Sequence, residues 1–124
     1  VPLQRLALSG LGDTAIARAL KRIENLFGRT PVFGAHRTVT AASNILDSDD
    51  LLLCDTTSAG FTVLLPPAPE NRGRRFTIKK LIAANTLTLD GNGSETIDGA
   101  TTKAWTTQYT AYTVQSDGTQ WWIV

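Results

Sequence analysis

FTVLLPP (residues 61–67), GRRFTIKK (73–80), NTLTLDGNGSETIDG (85–99) and QYTAYTVQSDGTQWWIV (108–124) decide the reading of this chain. Each is a short run of strand-forming residues bounded by Gly, Pro, Asn or Asp. In RRFTIKKL the pattern alternates, with Phe76 and Ile78 on one side and Arg75, Thr77 and Lys79 on the other. In NTLTLDG, Leu87 and Leu89 are expected inward and Thr86 and Thr88 outward. In the last segment Tyr112 and Val114 share a face, and Ser116–Asp117–Gly118 marks a hairpin. Trp122 and Val124 then take one face of the final strand, and Trp121 and Ile123 the other. Apolar residues on both faces predict two-sided burial, inside a sheet or at a subunit interface.

Upstream, the period of two begins near Thr38. A first strand is expected around Arg37–Ala42, and a turn or short strand over Asn44–Asp50. LLLCD (51–55) reads as the most buried strand, because its apolar residues are continuous rather than alternating. A very short strand is expected within GNGSETIDG, and an edge strand carrying Trp105 at 102–106. The count is eight or nine strands, with a helix only at the start. That excludes βαβ units and predicts a mainly β fold, an antiparallel β-sandwich or small barrel preceded by one short α-helix.

The helix is expected at 13–28, DTAIARALKRIENLFG. Asp13 caps its N-terminus, Gly28 suits the C-cap, and Pro31 prevents resumption. Ile16, Ala19, Leu20, Ile23, Leu26 and Phe27 fall in heptad-like positions a, d, e. This stripe is the expected oligomer interface, in a short parallel bundle; the alternative is a helix laid across the sheet of its own subunit. Residues 1–12, VPLQRLALSGLG, form an apolar N-terminal arm, packed on a neighbour or on its own domain. Residues 29–37 are a connector, and 38–124 a β-sandwich knob.

A length of 124 residues allows one compact domain plus an appendage, with 42% apolar and 19% charged residues. The 18 threonines suit strands with a polar, uncharged outer face. No apolar run is long enough to span a membrane, and no signal peptide is visible. The chain begins at Val1 rather than at a methionine, which reads as a processed product or a fragment. A single cysteine, Cys54, rules out an intrachain disulfide and is expected to be a buried thiol. The net charge of +1 hides blocks. Residues 38–70 hold five acids and no Lys or Arg, and 71–80 hold five basic residues and no acid. Aromatics do not interleave with these basic residues as in a nucleic-acid groove, so no nucleic-acid partner is expected.

Catalytic patterns are scarce, which favours a structural or binding module over an enzyme. Asp47, Asp49 and Asp50 lack EF-hand spacing and read as solvated turn acids. Asp90, Asn92, Glu95 and Asp98 could ligate calcium, but as turn-capping residues they need no metal. No metal or cofactor is expected. His36 is the only histidine, and no serine lies in a nucleophile elbow. Arg72, Arg74, Arg75, Lys79 and Lys80 read as a solvated strand edge, or as a surface meeting the acidic 47–55 region of another subunit. Trp105, Arg72, Arg74, Arg75 and Lys79 are the candidate surface-recognition residues. Tyr109, Tyr112, Trp121 and Trp122 suit either sugar stacking or ordinary core and interface packing.

The string LLPPAPENRGRRFTIKKLIAANTLTLDGNGSETIDG (64–99), followed by YTVQSDGTQWWIV (112–124), resembles a domain of tailed-bacteriophage virion proteins. Such domains occur at the ends of tail fibres, in baseplate components and in head fibres or decoration proteins. The resemblance covers roughly 38–124, and GRRFTIKK, SETIDG and SDGTQWWIV are its most specific pieces. It implies a β-rich, non-enzymatic, usually trimeric knob of the virion, following a helical or fibrous segment such as Asp13–Phe27. It carries over no catalytic residues. Three functions are therefore expected in order: a structural fibre, spike or head decoration bound to other virion proteins; a knob recognising a host glycan or protein; and a small polysaccharide depolymerase with paired acids between subunits.

Overall fold

The computed structural model describes residues 34–124. The expected arm, the helix with its Ile16, Ala19, Leu20, Ile23, Leu26, Phe27 stripe, and residues 29–33 of the connector lie outside the described residues. The described chain is mainly β. Its strands are β1 (His36–Val39), β2 (Ser43–Asn44), β3 (Leu51–Cys54), β4 (Phe61–Leu64), β5 (Arg75–Lys80), β6 (Leu87–Asp90), β7 (Thr102–Trp105), β8 (Ala111–Ser116) and β9 (Trp121–Ile123). A single 3-10 turn covers Ala68–Asn71.

Two open sheets form, ordered β1-β3-β5-β8-β9 and β2-β4-β6-β7, and neither closes into a barrel. The expectation of antiparallel pairing is corrected. β1 and β3, β3 and β5, β2 and β4, and β4 and β6 all pair in parallel. Parallel neighbours need a crossover, usually a helix. Here the crossover is a strand of the other sheet. The chain passes β1 to β2, β3 to β4 and β5 to β6, making three coils stacked like a parallel solenoid. The register sets Leu51 beside Thr77 and Phe61 beside Leu87, so the third coil is offset from the second by 26 residues in both sheets. Stacking then reverses: β7, β8 and β9 pair antiparallel with β6, β5 and β8.

One core lies between the sheets. Leu52, Cys54, Phe76, Ile78, Val114 and Trp121 enter it from the first sheet, and Val63, Leu87, Leu89 and Trp105 from the second. The alternation read in β5 and β6 therefore holds. LLLC is buried on one face only: Leu52 and Cys54 point inward, while Leu51 and Leu53 are half-buried on the outer face. β9 is an edge strand, not an interior one, and its outward residues Trp122 and Val124 are 47% and 59% exposed.

β5 is also not an edge. It lies between β3 and β8, and Lys80, at the end of its inward row, is fully buried. The ammonium donates to the carbonyls of Ile82 and Ala84. A lysine can sit at this inward position because the 81–86 turn bends its carbonyls over the open end of the core. The same turn is stitched to the one before it. Thr56 Oγ1 donates to Ala84 O (2.6 Å), Asn85 Nδ2 to Thr56 O (2.8 Å) and Leu81 N to Cys54 O (2.9 Å).

Coils this close leave no room for a side chain at their corners. A Cβ on Gly91 would fall 2.3 Å from Glu95 O, and one on Gly60 would fall 2.6 Å from Thr86 O. In both cases the obstacle is backbone. Gly91→Ala is expected to cost about 1–3 kcal/mol through forced backbone displacement, measured by urea unfolding. A neutral Gly91→Ala would mean that the 91–95 turn packs less tightly than described.

Candidate functional site

The acidic turn between β2 and β3 is not a row of solvated carboxylates. Asp49 is buried and takes two hydrogen bonds from Arg37, Nε to Oδ1 (3.1 Å) and Nη2 to Oδ2 (2.9 Å). Leu46 N donates a third, at 2.9 Å. Burial works to raise the Asp49 carboxyl, but the Arg37 hydrogen bond, the Leu46 amide and the charges of Arg37 and Arg74 outweigh it, so the group titrates below the usual carboxylate range. The same hydrogen bond, donated by Arg37 to Asp49, raises the Arg37 guanidinium above its ordinary value.

Arg74 completes this network from the start of β5. Its Nη1 donates to Asp50 Oδ1 (2.7 Å), and its Nη2 to the carbonyls of Asp47 (3.0 Å) and Asp49 (2.5 Å). The guanidinium carbon lies 4.4 Å from the centroid of Phe76. The acidic and basic blocks of the sequence thus meet within one chain, where an intersubunit contact was the alternative expectation. Arg74 thus clamps the 47–50 turn to the start of β5.

Trp105 is corrected in the same way. It is 7% exposed, its indole N–H donates to Thr110 O (3.1 Å), and its ring meets Tyr112 edge-on at 4.8 Å. The side chains of the 90–99 segment act as staples. Glu95 accepts the amide of Ala68 (3.0 Å), Asp98 accepts that of Ile123 (2.9 Å), and Asn92 donates to Leu65 O (3.3 Å). Among the described residues no three His, Cys, Asp or Glu side chains come together as a metal site. Cys54 is buried, and that burial pushes its thiol up to about 12. Ser116 is buried too, its hydroxyl donating to Ala68 O (2.7 Å).

Arg72, Arg75 and Lys79 do reach the surface. Arg75 and Lys79 lie on the outer face of β5, in register with Gln115 and Ala111 of β8. The Lys79 ammonium is 5.9 Å from the centroid of Tyr109, which is 64% exposed. Arg72 instead lines a shallow groove of about 320 Å³ with Gly73, Gln115, Ser116, Asp117 and Trp122.

The β8–β9 hairpin builds this groove. Asp117 accepts the amides of Thr119 and Gln120 on one oxygen, both at 2.7 Å. Its other oxygen accepts the Trp122 indole N–H at 2.8 Å. The Gln120 amide first, then the Trp122 and Thr119 donors, hold the Asp117 carboxyl below its usual range. A carboxylate anchored in the turn thus fixes the plane of an exposed indole. Across the groove, Gln115 Nε2 donates to Gly73 O (3.1 Å). The register aligns Arg75, Gln115 and Trp122 in one outward row.

Sequence reasoning named Arg72 and Arg75 but passed over Gln115 and Asp117, and it favoured Trp105 over Trp122. The opposite faces of Trp121 and Trp122 were legible in the sequence, but the edge position of β9 was not. Trp121 and Trp122 are adjacent in a strand, so a buried Trp121 forces Trp122 outward, beside the turn acid Asp117. No protein-family model matches the chain, and no curated protein matches its sequence.

Proposed function

We propose that this chain is a structural protein of a tailed-bacteriophage virion, a trimeric fibre, spike or head decoration that acts by assembly and contact rather than by catalysis. The observation that carries this reading is the polarity of the β module. Coils stack from β1 toward β5, and β9 occupies the sheet edge opposite β1. The reversed strands β7–β9 end the parallel stacking as a cap, the device by which solenoids stop propagating. A module of this kind has two unlike edges, one at its first coil and one at its cap. The segments that carry the phage-like resemblance support the reading by their location: GRRFTIKK enters the last parallel coil, SETIDG forms the turn bridged to β9, and SDGTQWWIV is the cap hairpin.

Assembly is assigned to the Ile16–Ala19–Leu20–Ile23–Leu26–Phe27 stripe, with other virion proteins as partners at the N-terminal side. Light scattering at micromolar concentration is expected to give about 40 kDa, three times the 13.4 kDa chain. Ile16→Asp combined with Ile23→Asp is expected to release folded protomers. A stable wild-type monomer would overturn the assembly reading, and a variant that stays trimeric would transfer the interface from the stripe to the β module. A second reading, a knob contacting the host surface, is favoured by one feature, the exposed Trp122 groove at the cap edge.

A further inference from the structure

The geometry points to the Trp122 groove as a binding site for an acidic saccharide, a sugar ring bearing a carboxylate. Three observations converge. First, the indole is 47% exposed, yet its N–H is held by Asp117 at 2.8 Å, so its plane is set before a ligand arrives. A fixed aromatic face lowers the ordering cost of binding, and the apolar face of a pyranose is the shape that covers it. Second, the groove is rimmed by hydrogen-bonding groups of mixed kind. Gln115 uses its Nε2 on Gly73 O and keeps its amide oxygen as an acceptor for a hydroxyl. Sugar hydroxyls require such mixed donors and acceptors.

Third, one cation on the groove and one beside it have no ion-pair partner among the described residues. Among the described residues both ion pairs belong to Arg37 and Arg74, and neither involves Arg72 or Arg75. Arg72 lines the groove, its stem lying where a Cβ on Gly118 would touch it at 3.2 Å. Arg75 lies in the same outward row as Trp122. Asp117 also lines the groove and carries a negative charge, but its oxygens are turned to the Thr119 and Gln120 amides and to the indole N–H, so an anion is met on the Arg72 side. A guanidinium binds a carboxylate through paired, charge-assisted hydrogen bonds. A neutral sugar would leave this charge unused, and an acidic peptide would leave the indole face uncovered.

This inference rests on the host-contacting reading proposed above, but its test does not depend on assembly. The full chain is titrated with a hexuronate-containing oligosaccharide, a neutral glucose oligomer of equal length and an oligoglutamate peptide, with affinity read by calorimetry for every variant and the Trp122 indole N–H followed by NMR in the wild type. The uronate ligand is expected to shift that resonance, and Trp122→Ala to weaken binding about tenfold or more. Arg72→Gln is expected to reduce uronate binding about tenfold while leaving the weaker neutral ligand unchanged. Tyr109→Ala, which alters the other large exposed aromatic among the described residues, is expected to change nothing. Absence of wild-type binding, or binding that survives Trp122→Ala, overturns the site. Equal binding of the neutral oligomer overturns the acidic preference, and equal binding of oligoglutamate overturns the saccharide. A monomer that still binds would sink the assembly reading alone, and a trimer that does not bind would sink the groove alone.

Discussion

Trp121→Ala is expected to lower the unfolding free energy by about 3–5 kcal/mol, the range for truncating a large buried aromatic. Trp121 is fully buried, and its ring lies 5.8 Å from Phe76 at a 48° tilt. It is also the meeting point of the cap. Its neighbour in register is the buried Ser116, its amide donates to Thr96 O (2.9 Å), and its carbonyl accepts the amide of Asp98 (3.1 Å). Small domains have about 5–15 kcal/mol in total, so the variant is expected to be largely unfolded in mild urea. Trp121→Phe separates two contributions. The indole nitrogen has no hydrogen-bond partner among the described residues. Phenylalanine therefore removes an unsatisfied donor as well as ring area, and it is expected to cost about 1–2 kcal/mol. Urea unfolding followed by circular dichroism reads both. A Trp121→Ala loss below about 1 kcal/mol would be incompatible with a core closed by this side chain.

The faces of single strands were legible in the sequence, and the way strands pair was not. Alternation in RRFTIKK and NTLTLDG reported burial correctly, because inward and outward positions follow the local period of two. Parallel pairing is not a local property. The argument from missing helices failed because a strand of the opposite sheet replaced the helix as crossover. The spacing held a trace of this: LLLC and FTVL are separated by the same six residues as TIKK and LTLD, one 26-residue coil apart. With two similar coils, a third of shorter offset and then a reversal, the repeat is too short to stand out.

Side-chain fates were harder still. Lys80 reads as surface because a buried lysine is rare, and only the turn carbonyls of Ile82 and Ala84 make it tolerable. Trp105 and Trp122 exchanged the roles expected of them for a reason of register. Trp105 lies opposite Leu87 on the inward row of the second sheet, while Trp122 lies opposite the outward Gln115. The groove itself joins Arg72, Gln115, Asp117 and Trp122, and Arg72 reaches the others only because β5 and β8 pair across the 30 residues, 81–110, that separate them.

Asp49→Ala is expected to cost about 2–3 kcal/mol. Removing one partner of a buried ion pair costs about 3–5 kcal/mol when the survivor stays desolvated. Here Arg37 is 35% exposed and can recover water, which reduces the loss. Asp49→Asn keeps an acceptor for Leu46 N and is expected to lose about half as much. Acidity gives the decisive comparison. The folded-state pKa of Asp49 is depressed, so its stabilisation is complete above the ordinary aspartate value of 3.8 and is lost as pH falls through the lower folded value. Arg37 stays charged throughout this range. The gap in unfolding free energy between wild type and Asp49→Asn is therefore expected to be widest near pH 7 and to narrow from about pH 4 downward. A gap of equal size at pH 7 and pH 3 would mean that Asp49 contributes by shape and neutral hydrogen bonding, not as an ionised partner of Arg37. Since Arg37 lies on β1, and Arg74 on the approach to β5 binds the carbonyl of Asp49 itself, a narrowing gap would place one acid-sensitive contact of the module at its first coils, beside the one that Asp117 makes in the cap hairpin.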